Sequence, residues 1–123
     1  MSAVRGIRGA TTVERNEAAL VRAATVELLR TLVERNGVEP ADVASAIFTV
    51  TPDLDADFPA HAARALSGWE HVPLLCAREI PVAGAPGLCV RVLINWNTDR
   101  AQREIHHAYL RGARSLRPDL EGR

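Results

Sequence analysis

The chain has 123 residues and carries fifteen basic and fifteen acidic side chains, so its formal net charge is zero. That length suits a single globular domain with a buried core. Neutrality argues against a dedicated nucleic-acid partner, which is usually met by a basic face or arm. All fifteen basic residues are Arg and none is Lys. This excludes a Schiff-base nucleophile, a pyridoxal-phosphate anchor and a phosphate-binding-loop lysine. A GC-rich genome accounts for such usage. Bidentate carboxylate binding by some of these side chains, which Arg does better than Lys, is compatible with that bias.

No uncharged apolar run approaches about 18 residues, so no membrane span is expected. Residues 1–12 carry Arg5 and Arg8 and lack the apolar core of a signal peptide. The two cysteines, Cys76 and Cys89, form no CxxC and lie in apolar runs. They predict buried free thiols and a cytoplasmic protein rather than a disulfide framework.

Residues 4–13 are β-branched enough for a strand, although Gly6 and Gly9 should weaken it unless a backbone or ligand must come close. Residues 16–36 predict one long helix, with Asn16 as N-cap and an apolar stripe of Val21, Thr25, Leu28, Leu29 and Leu32. Gly37 suits the left-handed stop, and Pro40 starts a short helical turn. Residues 44–51 read as a buried central strand and 59–66 as a short helix opened by Pro59. Strands are predicted over 73–80 and 88–96, around a Gly/Pro turn at 82–87. After a loop at 97–103, a short fifth strand at 106–110 leads into a helical turn running to Pro118.

The expected fold class is α+β, a mixed β-sheet with one long helix and short helices. One helix covers only one face of such a sheet, so the other face requires cover from another subunit. Residues 1–123 form one domain, with 118–123 as a candidate flexible tail.

Arg91 stands inside the apolar run 89–94, where a charge is costly unless paired. Two readings stay open: an ion pair with Glu79 or another carboxylate, or a cation held for an anionic ligand. Arg8, flanked by Gly6 and Gly9, has the same ambiguity. On a strand, Cys76 and Arg78 share one face and Glu79 takes the other. A Cys76 nucleophile would need a base among His61, His71, His106 and His107, and no spacing supports one. Adjacent His106 and His107 point opposite ways on a strand, so no metal site is expected. Asp53, Asp55 and Asp57 alternate like a calcium loop but lack its glycine and closing Glu, so they read as a solvated acidic loop. Phe58, just before Pro59, could pack a helix or cover a ligand, and by spacing alone it reads as a helix-packing residue. Together these residues describe a small Arg-rich site with one carboxylate, the Tyr109 hydroxyl and a thiol. Such a site suits binding of a small polycarboxylate, or catalysis by positioning and electrostatics.

The opening Val-Arg-Gly-Ile-Arg-Gly-Ala-Thr-Thr-Val-Glu at 4–14 resembles the start of the AroH-class chorismate mutases, the small monofunctional Bacillus-type enzymes. Further segments match in order: Thr51-Pro52-Asp53-Leu54, Phe58-Pro59-Ala60, Leu66-Ser67-Gly68-Trp69 and Val72-Pro73. Cys76 with Glu79, Cys89-Val90-Arg91-Val92, His107-Ala108-Tyr109-Leu110 and Leu116-Arg117-Pro118-Asp119-Leu120 complete the set.

The resemblance implies a homotrimeric pseudo-α/β-barrel with active sites at subunit interfaces. It also implies a cofactor-free rearrangement of chorismate to prephenate, in aromatic amino acid biosynthesis. By the same resemblance Arg91 stabilises charge on the ether oxygen, and Glu79 and Cys76 address the ring hydroxyl. Arg91 and Arg8 also hold substrate carboxylate, and Tyr109 adds a hydroxyl contact. Phe58, Leu116 and Ala60 shape the apolar wall, and Arg64 and Arg117 stand at the mouth. The family can carry Lys at position 61 and Thr at position 75, where this chain has His61 and Leu75. The alternative is a trimeric small-carboxylate binder or imine-deaminase-like protein of similar build, which lacks the opening motif and the Cys76/Glu79 pair.

Overall fold

The structure is a computed structural model and describes residues 2–116. Arg117 and the candidate tail at 118–123 lie outside the described residues. Five strands form one mixed sheet: β1 (Ala3–Thr12), β2 (Val43–Val50), β3 (Leu74–Arg78), β4 (Cys89–Thr98) and β5 (Ala108–Tyr109). Their spatial order is β3-β2-β4-β1-β5. β4 runs antiparallel to both β1 and β2, while β3 lies parallel to β2 and β5 parallel to β1.

The helix α1 (Ala18–Asn36) lies across one face. Val21, Thr25, Leu28, Leu29 and Leu32 are all buried, as their spacing predicts. Leu28, Leu29 and Leu32 meet Ile7, Phe48, Val92 and Ile94 from the sheet, while Val21 packs with Val13, Leu54 and Val90. Contact is closest at Gly9, where a Cβ would stand 2.7 Å from Leu32 Cδ1 and 2.9 Å from Leu28 Cδ1. The close approach that the strand glycines require is therefore the helix at Gly9. Gly37 ends the helix at φ 68°, its N–H bonded to the Val33 carbonyl.

The N-terminus of α1 differs from expectation. Glu17 is the cap position, and no side chain caps it. Asn16 turns instead to the 51–58 loop, where Oδ1 accepts the amides of Asp55 and Ala56 and Nδ2 donates to Asp55 Oδ1. Residues Pro59–Ala65 form a 3-10 helix that buries Ala62 and Ala63. Further 3-10 turns appear at Trp69–His71 and Gln102–Glu104, where no helix is expected. The fifth strand is shorter than predicted because its neighbours bind elsewhere. Asn36 exchanges two hydrogen bonds with the backbone of His106, as donor to its carbonyl and acceptor from its amide.

The second face of the sheet is largely open. Residues Arg111–Ser115 form a 3-10 turn over its β5 end, where Ala113 and Leu116 pack with Ala10, Cys89 and Tyr109. Beyond that turn, Val4, Leu75 and Leu93 remain exposed. Among the described residues no helix is long and apolar enough to cross a membrane.

Candidate active site

The sheet register sets one row of side chains on the open face: Tyr109, Ala10, Arg91, Thr49 and Ala77, from β5 to β3. Arg91 holds the centre. Its Nε lies 3.0 Å from Glu79 Oε2, with the two side chains 30 % and 14 % exposed. The ion-pair reading of Arg91 is therefore correct as far as it goes. It does not use the donor fully, because the buried Nε–H has no aligned hydrogen-bond acceptor among the described residues. The contact is therefore an ion pair whose geometry falls short of an aligned hydrogen bond.

Glu79 follows the last residue of β3, and its amide donates to the Val50 carbonyl at 2.9 Å. Its Oε2 also accepts the Thr49 hydroxyl at 2.8 Å. Thr49 is absent from the residues that sequence reasoning singles out. The available signal is its place in the apolar strand: a hydroxyl there needs a partner.

Arg8 extends from the same face, two residues along β1 from Ala10, the residue opposite Arg91. That diagonal corresponds to roughly 7–8 Å. Arg8 is exposed, and its amide donates to His107 Nδ1 at 3.0 Å. The Tyr109 hydroxyl is buried with no partner among the described residues. Cys89 is buried beside Arg91 in β4; burial pushes its thiol up in pKa, against the pull of the guanidinium. Cys89 stays a packed thiol, as expected.

A second group gathers on the other side of the β2–β3 edge. Cys76 shares its face with Phe48 and Val92, opposite to Glu79. Only Cys89 is the fully buried thiol; Cys76 is half-buried because β3 is the edge strand. A cavity of about 440 Å³ is lined by Phe58, His61, Cys76, Arg78 and Asp57, among others. Phe58 is 65 % exposed and meets the His61 ring edge-on at 5.4 Å. Its expected packing role is thus corrected: it is a cavity wall.

The acidic loop is also more than a solvated surface. Asp57 accepts from Arg22 Nη2 at 2.8 Å and from the Phe58 amide at 2.8 Å, and His61 Nδ1 lies 2.7 Å away. A carboxylate only accepts, so His61 donates through Nδ1 and turns Nε2 outward. Burial pushes the Asp57 carboxyl up, but the bonds from Arg22, His61 and Phe58 outweigh it and hold it below its ordinary value. Asp53 accepts the Leu88 amide on both carboxylate oxygens, at 3.0 and 2.9 Å, and the Thr51 hydroxyl. It ties the loop to the start of β4. Ala60 packs against the core, Leu116 packs beside Tyr109, and Arg64 is exposed on the Pro59–Ala65 helix.

One chain therefore joins Arg91, Glu79, Tyr109 and Arg8 on one face. It leaves Phe58, Cys76 and Arg64 on the other side of the sheet edge.

Residues 4–120 match the family described as Chorismate mutase type I. The chain is 52 % identical over 119 residues to "Chorismate mutase AroH" of Thermus thermophilus, covering 96 % of this chain and 97 % of that one. It is 46 % identical over 117 residues to the protein of the same name from Bacillus subtilis (strain 168), covering 95 % and 92 %. Its fold matches a solved chorismate mutase from Clostridium thermocellum with a TM-score of 0.87 at 50 % identity, over 90 % of this chain and 98 % of that one. These relatives do not favour the imine-deaminase-like alternative. The resemblance seen in the ordered motifs is correct, and the chain belongs to the type I chorismate mutase family.

Proposed function

We propose that this chain rearranges chorismate to prephenate, in aromatic amino acid biosynthesis, through the site centred on Arg91. The observation that carries the reading is the buried Arg91 Nε–H, ion-paired to Glu79 yet without an aligned acceptor.

The reaction is unimolecular. One carbon–oxygen bond breaks as one carbon–carbon bond forms, and no group passes to or from the protein. The side chains have two tasks: to hold the reactive conformer and to meet the charge that develops. Arg91 donates to the ether oxygen as negative charge grows there. Removing one such preorganised donor typically costs about 10²–10³ in kcat. Glu79 keeps the guanidinium in place and accepts from the ring hydroxyl, with Cys76 on the other side of that edge. Arg8 and Tyr109 take a substrate carboxylate, the first through its planar fork. Phe58, Ala60 and Leu116 form the apolar wall, and Arg64 and Arg117 draw the dianion to the mouth.

The functional assembly is a homotrimer with sites between subunits, closed into a pseudo-α/β-barrel. Two features support this. The open sheet face exposes Leu75 and Leu93, and the Phe58–Arg64 group lies across the sheet edge from Arg91 within one chain. A second copy that supplies the Phe58–Arg64 group to Arg91 answers both. Its free thiols agree with a cytoplasmic location. Loss of chorismate absorbance, measured alongside the mass in solution by sedimentation, tests the reading. Turnover by a species three times the chain mass is expected. A fully active monomer would overturn the shared site, and absence of turnover would overturn the function.

A further inference from the structure

We propose that Thr49 is the positioning residue that fixes which oxygen of Glu79 faces the substrate. The inference rests on the reading of Glu79 as the acceptor for the ring hydroxyl.

Glu79 lies just past the end of β3. Its backbone is fixed by the Val50 carbonyl, but its side chain keeps several rotatable bonds. Two groups reach it, and both reach the same atom. Arg91 Nε lies 3.0 Å from Oε2, and the Thr49 hydroxyl donates to Oε2 at 2.8 Å. The Arg91 contact is not aligned as a hydrogen bond, so charge alone holds it and sets no direction. Thr49 supplies the directional bond. Among the described residues Oε1 accepts no hydrogen bond, and it is the oxygen left for a ligand.

The sequence builds this anchor economically. Thr49 stands between Arg91 on β4 and Ala77 on β3 in the open-face row. β-branching stiffens its χ1, so Oγ1 points one way along the strand surface. Ala77, directly across on β3, has only a methyl group, which leaves room for Glu79 two residues further on to fold back over the row. A rotation of the carboxylate would move Oε1 and weaken the hold on Arg91 together.

The test uses Thr49→Val, which keeps the shape and removes the hydroxyl, and Thr49→Ser, which restores it. Each is made in the full chain with Glu79 and again with Glu79→Ala. Thr49→Val should lower kcat about ten- to hundredfold, the usual scale for a bond to a charged group, with KM changing less. Thr49→Ser should recover to within about threefold of the parent. In the Glu79→Ala background Thr49→Val should cost nothing further. An equal loss in both backgrounds, or Thr49→Ser no better than Thr49→Val, would make Thr49 a structural residue and overturn the proposal. The carboxyl carbon-13 shift of Glu79 in the ligand-free protein gives a readout independent of turnover. It should move with Thr49→Val and return with Thr49→Ser; an unchanged shift overturns the proposal. If the parent chain fails to turn over chorismate, the function reading falls and this shift still decides whether Thr49 sets the carboxylate.

Discussion

Tyr109 and Arg91 lie in one row of the sheet with only the methyl group of Ala10 between them. Two strand spacings separate them, roughly 9–10 Å. Each carries a buried donor, the Tyr109 hydroxyl and the Arg91 Nε–H, without an aligned acceptor among the described residues. Ala10 is buried, packed with Tyr109, Cys89 and Ala113, so a larger side chain at this position would crowd both neighbours.

Tyr109→Phe follows from this pairing. The hydroxyl has no partner within the described chain, so its removal should leave the melting temperature unchanged or slightly higher. Binding should suffer instead, with KM for chorismate rising about tenfold or more. Calorimetric melting and steady-state kinetics on the same sample check both halves. A lower melting temperature with unchanged KM would assign the hydroxyl to the fold.

Gly9→Ala should act in the opposite sense. Its Cβ would meet Leu32 Cδ1 at 2.7 Å and Leu28 Cδ1 at 2.9 Å, where the helix rests on β1. Overpacking of this kind costs about 1–3 kcal/mol. Urea unfolding should show that loss, and Leu32→Ala in the same chain should recover part of the strain. An unchanged urea midpoint would mean that α1 shifts freely over the strand.

Asn36 ties the last turn of α1 to the segment that leads into β5. Its amide donates to the carbonyls of Leu32 and His106 and accepts the His106 amide. Asn36→Leu leaves the part-buried backbone groups of His106 unpaired and should cost about 1–3 kcal/mol. Hydrogen exchange should quicken at the His106 amide first. Protection there equal to that of the parent would rule out this link.

Asp57 gives a pH dependence. Its carboxyl titrates below its ordinary value in the folded chain, so the unfolded state binds the proton first as pH falls. Its contribution to stability is present in full above about pH 4, the unfolded value. It is lost as pH drops through the lower folded value. The stability gap between the parent and Asp57→Asn should therefore be constant at neutral pH and shrink below about pH 4. A gap that widens in acid would reverse the assigned shift.

The long helix could be drawn from the spacing of Val21, Thr25, Leu28, Leu29 and Leu32 and from Gly37 alone, because both signals are local. Arg91 and Arg8 stood out for a similar reason: a charge in an apolar run and a charge between glycines are visible in sequence. The partner of Arg91 was one of two open readings, since pairing depends on register across strands that lie far apart in the chain. Thr49 shows in the sequence only as a hydroxyl within an apolar strand; the register is what aims it at Glu79. Asp53 and Asp57 looked like solvated charges. Their partners are the Leu88 amide, Arg22 and His61, and only the folded loop brings these within reach. Asn16 is a good cap by type, yet the same loop competes for its side chain and wins.

In the proposed mechanism the positive charge of Arg91, as well as its hydrogen bonds, drives the rearrangement. Replacing Arg91 with citrulline, its uncharged urea isostere, keeps the shape and most donors while removing the charge. Turnover of chorismate by this variant is the most direct test. A fall in kcat of at least about 10²–10³ is expected, with chorismate still bound. A citrulline variant with kcat near that of the parent would contradict it.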